Sequence, residues 1–304
     1  MGGQRVRGAA AMIAAGAAAR ASPAQKFLVG LIGEGIQGSR SPALHEHEAR
    51  HLGLALHYQL IDLARDGRSA SDLPRLIDSA QAVGFAGVNI THPCKQAVLP
   101  LLDRLSADAE AIGAVNTVVF RDGKRVGHNT DWSGFATPFR RALSDVALGH
   151  VSLLGAGGAG AAVAHAILTL GAHQLSLVDP DAAKAETLAA SLRARFGGRA
   201  VRHARDVRAA IAASDGVINA TPIGMTGHPG TPVDPSWIEP RQWVAEIVYF
   251  PLETEWLRAA RERGCRNLDG GGMAVWQAVG AFELFTGHAP DAQRMEQHFR
   301  SIVS

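Results

Sequence analysis

Short apolar runs alternate with amphipathic stretches along most of the chain, and this alternation predicts an α/β protein with mainly parallel sheets. In the first half, the apolar runs predict strands at 27–33, 56–62, 87–90, 115–120 and 124–128. The stretches between them predict helices at 42–52, 73–83 and 95–102. Asp122 and Gly123 separate the last two strands and predict a hairpin turn, because both residue types tolerate a positive φ.

The same alternation restarts after a helix predicted at 131–142, which links the two halves of the chain. Strands are predicted at 151–154, 174–178, 216–219 and 243–247. We expect a helix at 161–170 and a last helix at 274–286, beyond the glycines at 270–272. A chain of 304 residues has room for about two domains of ~150 residues each, so each half is expected to build its own sheet.

The charge and composition of the chain exclude several classes of function. The 30 basic and 28 acidic residues give a net charge of +2, which is too weak to favour a nucleic-acid partner. No apolar run reaches the ~20 residues of a membrane span. The two cysteines, Cys94 and Cys265, are too few for a disulfide framework and lack metal-ligand spacing. We therefore expect no metal site and a reducing cytoplasm.

Residues 1–25 differ from the rest of the chain, being Ala, Gly and Arg with few large apolar side chains. Arg5 and Arg7 fit the start of a secretory signal, but Ala and Gly supply little of the apolar core that such a signal needs. We expect a disordered extension, or a start site placed ahead of Met12, rather than a signal.

A glycine turn in the middle of the chain carries the first chemical information. Gly155, Gly157 and Gly160 follow a predicted strand at the spacing G-x-G-x-x-G and precede a predicted helix. The first glycine permits a tight turn, the second lets the backbone approach a pyrophosphate, and the third lets helix and strand pack closely. The pyrophosphate then meets free N–H groups of the helix N-terminus. The turn therefore predicts a Rossmann dinucleotide-binding domain.

A carboxylate ends the next predicted strand, at Asp179. Such a residue accepts hydrogen bonds from the ribose hydroxyls of NAD and repels a 2′-phosphate, so NAD is favoured over NADP. Lys184 lies nearby in sequence and would offset part of that repulsion. The alternative is that residues 179–181 form only a polar turn before a helix.

The polar loop 219–225 follows the strand after that. Ligands of open α/β sheets bind beyond the carboxyl ends of strands, so Asn219, Ala220 and Thr221 are expected beside the nicotinamide ribose. The alternative is a loop whose Asn and Thr side chains only satisfy backbone groups.

Polar side chains also recur at predicted strand ends in the first half, where a sheet of this kind builds its pocket. They comprise hydroxyl, amide, ammonium and carboxylate groups, namely those of Ser39, Ser41, Asn89, Thr91, Lys95, Asn116, Thr117, Asn129, Thr130 and Asp131, with Gln277 on the last predicted helix. Each alone is more often a cap or turn residue. Together they fit a small polyhydroxylated carboxylate better than an apolar ligand.

These motifs, in this order, resemble the shikimate/quinate dehydrogenase family from about Phe27 to the C-terminus. The matching segments are S-R-S-P-A-L-H (39–45), V-N-I-T-H-P-C-K (88–95), G-A-V-N-T-V (113–118), G-H-N-T-D (127–131), G-A-G-G-A-G (155–160), N-A-T-P-I-G-M (219–225), Y-F-P-L-E-T (249–254) and G-G-M-A-V-W-Q-A (271–278). The resemblance implies an N-terminal α/β substrate-binding domain, a C-terminal Rossmann NAD-binding domain, and last helices that return to the first domain. We expect the first domain at 26–132 and 270–304, and the second at 133–269.

The resemblance also implies roles for individual residues. Those matching Ser39 and Ser41 hold the substrate carboxylate, with help from Tyr249. Lys95 and Asp131 match the catalytic pair. The residues expected to hold the ring hydroxyls are Asn89, Thr91, Asn116 and Gln277. The residues expected to bind the cofactor are Gly155, Ala156, Gly157, Gly158, Ala159, Gly160, Asp179, Asn219, Ala220, Thr221, Gly272 and Met273.

Four departures from the family pattern bear on cofactor and substrate preference. The segment 179–181 is Asp-Pro-Asp where many NADP-using biosynthetic members carry Asn-Arg-Thr, so the chain resembles the NAD-dependent quinate/shikimate dehydrogenase branch. His128 stands where Asp or Tyr is often found, and Trp132 replaces a common Gly. Ser41 is Thr in some members that use quinate.

The expected reaction is reversible hydride transfer between NAD and the C3 carbon of shikimate or quinate, which gives 3-dehydroshikimate or 3-dehydroquinate. Lys95 shuttles the hydroxyl proton, and Asp131 orients Lys95 and that hydroxyl as its coupled partner. His92 and His128 are alternatives for the proton relay. Closure of the cleft about hinges near Asp131 and at 269–272 is expected to exclude water.

Three alternatives stay open at this point. The chain is an NADP-dependent biosynthetic shikimate dehydrogenase, a non-catalytic cofactor-sensing homologue, or an enzyme acting on an amino- or otherwise modified ring. In every enzymatic case, the partner is a small hydroxylated cyclic carboxylate, and the chain is expected to be a monomer or a homodimer.

Overall fold

The computed structural model describes residues 25–65 and 67–303, which form two six-stranded sheets with helices packed on their faces. Apart from Gln25, the extension predicted for residues 1–25 lies outside the described residues. The two sheets confirm the predicted α/β class and the division of the chain into two units around the helix at 131–142.

The first sheet has the strand order β2-β1-β3-β5-β6-β4. Its strands are β1 (Lys26–Gly33), β2 (Ala55–Asp62), β3 (Gly87–Ile90), β4 (Arg104–Leu105), β5 (Thr117–Arg121) and β6 (Lys124–His128). The pairs β1–β2, β1–β3 and β4–β6 are parallel, whereas β3–β5 and β5–β6 are antiparallel. Asp122 and Gly123 both have positive φ, at 53° and 71°, and they form the predicted hairpin turn.

Helices of the first half mostly occupy their predicted positions. They are α1 (Ser41–His51), α2 (Leu73–Ala82), α3 (Cys94–Ala97), α4 (Ala107–Ile112) and α5 (Asp131–Ala142). The single helix predicted at 95–102 is wrong, because α3 ends at Ala97 and a 3₁₀ turn follows at Leu99–Leu101. Pro100 lacks an N–H and disfavours helical backbone in the residue before it, so the helix cannot continue. Gly113 caps α4 with a φ of 67°.

The second sheet is entirely parallel and has the order β12-β11-β10-β7-β8-β9. Its strands are β7 (His150–Leu154), β8 (Gln174–Val178), β9 (Ala200–His203), β10 (Gly216–Asn219), β11 (Trp243–Glu246) and β12 (Arg266–Leu268). The helices of this half are α6 (Gly158–Thr169), α7 (Ala182–Arg195), α8 (Val207–Ala212) and α9 (Glu255–Glu262). Counted from its own first strand, the order is 3-2-1-4-5-6, the Rossmann order in which ligands bind beyond the first strand.

Two final helices return to the first sheet, as expected. They are α10 (Gly271–Thr286) and α11 (Ala292–Val303). Ala281 and Phe285 of α10 join the cluster on β1 and β2, whereas Met295 and Phe299 of α11 pack with Leu44 of α1. The domain bounds at 132/133 and 269/270 stay predictions, because α5 and α10 pack on each other across both of them.

The start of α10 corrects the sequence analysis in two respects. The helix begins at Gly271 instead of 274, and it is followed by α11, so it is not the last. The glycines are required by close packing: a Cβ at Gly270 would lie 2.2 Å from the carbonyl oxygen of Val248. One at Gly272 would lie 2.7 Å from the Cβ of Pro138 in α5.

Two searches of residues 25–65 and 67–303 bear on function. No helix there is long and apolar enough to cross a bilayer. No three His, Cys, Asp or Glu side chains in this part of the chain converge as metal ligands. Cys94 and Cys265 are buried free thiols.

Candidate active site

Lys95 and Asp131, 36 positions apart in the sequence, form an ion pair beside the glycine turn. Lys95 Nζ donates to Asp131 Oδ2 at 2.6 Å, and the side chains are only 16% and 8% exposed. Lys95 lies in α3, just beyond β3, and Asp131 is the first residue of α5. The stem of Lys95 rests on the glycine turn, since a Cβ at Gly158 would lie 3.2 Å from Lys95 Cδ. The pair therefore adjoins the predicted cofactor site.

The amide of Asn116 holds Asp131 in place. Asn116 Nδ2 donates to Asp131 Oδ1 at 2.8 Å and to Thr130 Oγ1 at 2.9 Å. Its Oδ1 accepts from the backbone N–H of Thr130 at 2.8 Å and from Thr117 Oγ1 at 3.0 Å. Both amide hydrogens and both oxygen lone pairs are thus used within the protein. The ring-hydroxyl contact predicted for Asn116 stays a prediction, and the structure adds a second role, which is to orient the Asp131 carboxylate.

Hydroxyl groups of Ser39, Ser41 and Tyr58 gather around the loop that follows β1. Ser39 Oγ and Ser41 Oγ lie 3.2 Å apart, and the Ser41 side chain hydrogen-bonds to Tyr58. Burial raises the pKa of Tyr249, and the positive charge of Arg40 opposes that shift. The Arg40 guanidinium lies 5.3 Å from the ring centroid of Phe250. A cation beside several neutral hydroxyls suits a carboxylate ligand.

Asp62 fixes the loop that carries Ser39. Its carboxylate oxygens accept hydrogen bonds from the Gln37 side chain and from the backbone N–H groups of Gly35, Ile36 and Ala64. Desolvation acts to raise the pKa of Asp62, but these hydrogen bonds outweigh it and hold the pKa below its usual range. The loop is therefore anchored by a charged group at the carboxyl end of β2.

Two further predicted substrate residues, Thr91 and Gln277, lie on segments next to those that carry Lys95 and Asp131. Thr91 follows β3 and contacts β1, since a Cβ at Gly33 would lie 2.2 Å from Thr91 Cγ2. Gln277 lies on α10 against the start of α5, because a Cβ at Gly134 would lie 2.9 Å from its backbone N. Thr91 therefore lies just before the helix of Lys95, and Gln277 lies beside the helix of Asp131.

His128 is a half-buried alternative for the proton relay. It lies on β6 opposite Thr117. Burial and the charge of Arg121 lower the pKa of His128, which favours its neutral form. His92 lies in the segment between β3 and α3, three residues before Lys95. The ion pair of Lys95 and Asp131 favours these two residues over either histidine as the proton relay.

The glycine turn fits a dinucleotide. Gly155 has a φ of +98°, and its missing side chain lets the carbonyl of Ala220 approach to 2.8 Å from where a Cβ would stand. A Cβ at Gly160 would lie only 2.1 Å from the carbonyl oxygen of Gly155, so strand and helix close up as predicted. Gly157 is the N-cap of the twelve-residue helix α6 and has no side chain to occupy the N–H groups of its first turn.

Asp179 directly follows β8, and its side chain faces the glycine turn. Asp179 Oδ2 accepts from the backbone N–H of Ala156 at 2.7 Å, and Oδ1 accepts from that of Asp181 at 2.9 Å. Asp181, by contrast, is the N-cap of α7 and bonds to the N–H groups of residues 183 and 184. Asp179 thus makes a polar-turn contact with Asp181 and also holds the glycine turn, and its ribose contact stays a prediction. Lys184 Nζ lies 3.9 Å from the position of a Cβ on Gly157, so a positive charge also faces the turn.

The loop after β10 is built around Asn219, which is fully buried. Asn219 Oδ1 accepts from the N–H and hydroxyl of Thr221, at 3.0 and 2.6 Å. Its Nδ2 donates to the carboxylate of Glu246 at 2.9 and 3.0 Å and to Ile223 O at 3.0 Å. The predicted role of Asn219 in cofactor binding stays a prediction, and its side chain also shapes the loop that presents Ala220 and Thr221.

Glu246 connects this loop to the one carrying Tyr249. Besides Asn219, it accepts from the N–H groups of Ile247 and Val248, at 3.0 and 3.1 Å, and from Thr254 Oγ1 at 3.2 Å. Burial raises the pKa of Glu246 to about 7 against the opposing effect of these hydrogen bonds. One carboxylate thus joins both loops beyond β10 and β11 to the start of α9.

Gly272 and Met273, predicted to contact the cofactor, lie in the first turn of α10. Met273 is 8% exposed and belongs to the cluster that also contains Phe135, Phe139 and Trp243. Both residues pack against α5 at the edge of the second sheet. Their cofactor contact stays a prediction.

Sequence reasoning missed Tyr58, Asp62 and Glu246. Asp62 and Glu246 each stand at the last residue of a parallel strand, so the strand-end rule that selected Asn219 would also have selected them. Tyr58 lies inside β2, where an alternating pattern predicts only a buried aromatic side chain. Nothing local in the sequence shows that its hydroxyl reaches a residue two strands away.

Comparisons with known proteins agree with this geometry. The substrate-binding-domain model of shikimate dehydrogenases matches residues 31–118, and the model of the C-terminal domain of shikimate 5′-dehydrogenases matches residues 270–298. A shikimate dehydrogenase (NADP(+)) of Streptomyces avermitilis is 56% identical over 271 residues, which is 88% of this chain and 93% of the relative. A quinate/shikimate dehydrogenase (NAD(+)) of Corynebacterium efficiens is 50% identical over 279 residues, or 91% of this chain and 98% of the relative.

A solved structure shares the whole architecture. Quinate dehydrogenase from Corynebacterium glutamicum, in complex with NAD, superposes with a TM-score of 0.85 at 48% identity, covering 91% of this chain and 99% of that one. Identity at this level over nearly the full length of several relatives leaves one assignment. The chain belongs to the shikimate dehydrogenase family.

Proposed function

We propose that this protein is an NAD-dependent quinate/shikimate dehydrogenase, which interconverts the C3 hydroxyl of shikimate or quinate and the corresponding 3-dehydro ketone. The observation that carries the proposal is the Lys95–Asp131 ion pair, 2.6 Å long and resting on the dinucleotide turn. A proton-transfer pair beside a nucleotide site suits oxidation of an alcohol. The similarity to named quinate/shikimate dehydrogenases supports the same reaction.

The substrate is proposed to lie with its carboxylate among the hydroxyls of Ser39, Ser41 and Tyr249. The guanidinium of Arg40 lies near these groups and favours an anion there. The ring hydroxyls then extend toward Asn89, Thr91 and the catalytic pair, with Gln277 closing the site from α10. This placement puts the substrate carboxylate among the hydroxyl groups and the reacting hydroxyl at Lys95 and Asp131.

Lys95 and Asp131 are proposed to handle the proton of the reacting hydroxyl. NAD supplies the hydride acceptor when it is bound. Lys95 Nζ exchanges the hydroxyl proton and offsets negative charge that develops on the oxygen. Asp131, fixed by Asn116, keeps Lys95 aimed at that oxygen. Burial of both groups excludes water that would compete for the proton.

Asp179 supports NAD as the cofactor. The named relatives use both cofactors, so similarity alone does not choose between them. Both Asp179 oxygens are held by backbone N–H groups at the end of β8, which fixes a negative charge where a 2′-phosphate would stand. Lys184 and the 56% identical NADP(+) relative favour the second candidate, an NADP-dependent shikimate dehydrogenase.

A matrix of initial rates tests the proposal. Shikimate and quinate are each assayed with NAD and with NADP, and kcat/KM is compared across the four combinations. The proposal expects turnover of at least one substrate and higher kcat/KM with NAD. Higher kcat/KM with NADP selects the second candidate. No turnover of either substrate refutes both and favours a cofactor-sensing protein or an enzyme for a modified ring.

A cytoplasmic location, and a monomer or homodimer, complete the proposal. The two free thiols, Cys94 and Cys265, support a reducing compartment. Size-exclusion chromatography with light scattering measures the mass and separates the two oligomeric states.

A further inference from the structure

Tyr58 is a buried residue that connects two of the predicted substrate residues, Ser41 and Asn89. The residue is 3% exposed, and its hydroxyl donates to Asn89 Oδ1 at 2.8 Å. The same phenol oxygen hydrogen-bonds to the side chain of Ser41. Tyr58 is on β2 and Asn89 is on β3, with β1 between them, so the tyrosine spans a full strand to reach the amide. None of the roles described above uses this hydroxyl.

The hydrogen bonds that Asn89 makes within residues 25–65 and 67–303 leave it one free site. Asn89 Nδ2 donates to the backbone carbonyl of Asn116 at 3.2 Å and to Thr117 Oγ1 at 3.0 Å, which uses both amide hydrogens. A backbone carbonyl only accepts, so this contact fixes which end of the amide is NH₂. Asn89 Oδ1 accepts from Tyr58, and one lone pair remains.

We propose that Tyr58 is a positioning residue that holds Asn89 Oδ1 in place as an acceptor toward the substrate. Because both amide hydrogens of Asn89 and one lone pair of its Oδ1 are already used, Asn89 can only accept a hydrogen bond from a ring hydroxyl of the substrate. That hydroxyl must therefore donate. A ligand carrying an ether or a carbonyl at the same ring position finds no donor there. The proposal rests on the proposed function and deepens it, because it states which hydrogen-bonding polarity the pocket selects.

Tyr58→Phe tests this by removing the hydroxyl and keeping the ring. The variant is assayed with shikimate or quinate and with analogues that each lack one ring hydroxyl. We expect KM for the full substrate to rise about three- to tenfold, the effect of one neutral hydrogen bond, with kcat and the KM for NAD within about twofold. For the analogue lacking the hydroxyl that Asn89 contacts, KM is expected to equal that of the wild type.

Thr286→Val is the matched control, because it removes another buried hydroxyl of the same domain. Thr286 is 6% exposed and its hydroxyl donates to Phe282 O within α10. The control is expected to lower Tm without changing any KM. If Tyr58→Phe raises KM equally for every analogue, or changes none, the positioning role is overturned. If the wild type turns over none of the compounds, the proposed function fails first, and this inference fails with it.

Thr117→Val removes a different hydrogen bond of the Asn89 amide and is the second test variant if Tyr58→Phe does not fold. It frees one hydrogen of Asn89 Nδ2 and removes the donor to Asn116 Oδ1. We expect the same dependence of KM on the ring hydroxyl, together with a lower kcat, because Asn116 orients Asp131. A uniform change of KM across the analogues would refute the proposal here as well.

Discussion

His45 is expected to make the first domain acid-sensitive. It lies on α1 with 1% exposure, and both ring nitrogens lack a hydrogen-bond partner among residues 25–65 and 67–303. The rings of Tyr58, Phe282 and Phe285 surround it, with centroids 4.9, 5.9 and 6.1 Å away. Burial in this apolar setting lowers the pKa of His45 from 6.5 to about 3.

The magnitude follows from the difference in proton binding between the folded and unfolded chains. Because the folded pKa is lowered, protonation favours the unfolded state, so the stability is full above about pH 6.5 and is lost as the pH falls. Between pH 7.5 and pH 5, the unfolded histidine takes up its proton while the folded one stays neutral. At ~1.4 kcal/mol per pH unit below 6.5, this one residue costs about 2 kcal/mol at pH 5.

His45→Leu removes the titrating ring and keeps an apolar side chain. We expect the wild type to lose about 2 kcal/mol more than the variant between pH 7.5 and pH 5, measured by urea unfolding at both pH values. His57→Gln is the control, because the His57 side chain is 67% exposed and its loss should leave the pH dependence unchanged. Equal losses for wild type and His45→Leu would show that the buried ring does not resist protonation.

Three further changes test the active site. Lys95→Ala is expected to lower kcat by about 10²–10⁴-fold, and retention of more than about a tenth of kcat would exclude Lys95 as the acid–base group. Lys124→Ala is the control, because it removes a 59% exposed lysine paired with Asp103 and should leave kcat unchanged. Asp179→Ala is expected to raise the ratio of kcat/KM for NADP to that for NAD, because it removes a carboxylate that repels a 2′-phosphate, and an unchanged ratio would contradict that role. Glu246→Gln places an amide against Asn219 and Thr254, so the free energy of unfolding, measured with urea at pH 8, should fall by about 1–3 kcal/mol. An unchanged unfolding midpoint would mean that the carboxylate is not needed for stability.

Local patterns along the chain were sufficient for the secondary structure wherever a single period or turn signal dominated. The hairpin at Asp122–Gly123 and the strand–turn–helix at 151–170 formed as predicted, because glycine and β-propensity act over a few residues. The predictions failed at 95–102 and 270–274 for opposite reasons. Pro100 broke a helix despite a helical pattern. Gly271 and Gly272 entered a helix despite their low propensity, because their neighbours, Leu252 and Pro138 among them, leave no room for a Cβ.

The candidate site was predictable only as a set of residues. The motifs around Lys95, Asp131 and the glycine turn named its members, and the structure pairs Lys95 with Asp131 beside that turn. The hydrogen-bond partners of each member, and hence the sites it keeps for a ligand, were not predictable. Asn89 and Asn116 look alike as strand-end amides in the sequence, yet Asn116 has every hydrogen-bonding site used and Asn89 keeps one.

The sequence by itself determined the fold class and the dinucleotide turn, because each depends on residue type and short-range spacing, and its resemblance to a known family named the catalytic candidates. Tertiary structure alone decided the partners: that Tyr58 holds Asn89, that Asn116 holds Asp131, and that Glu246 joins two cofactor-side loops. The physical reason is that an amide or a carboxylate has few, directional hydrogen-bonding sites. Which of them remain for a ligand depends on neighbours that are distant in the chain.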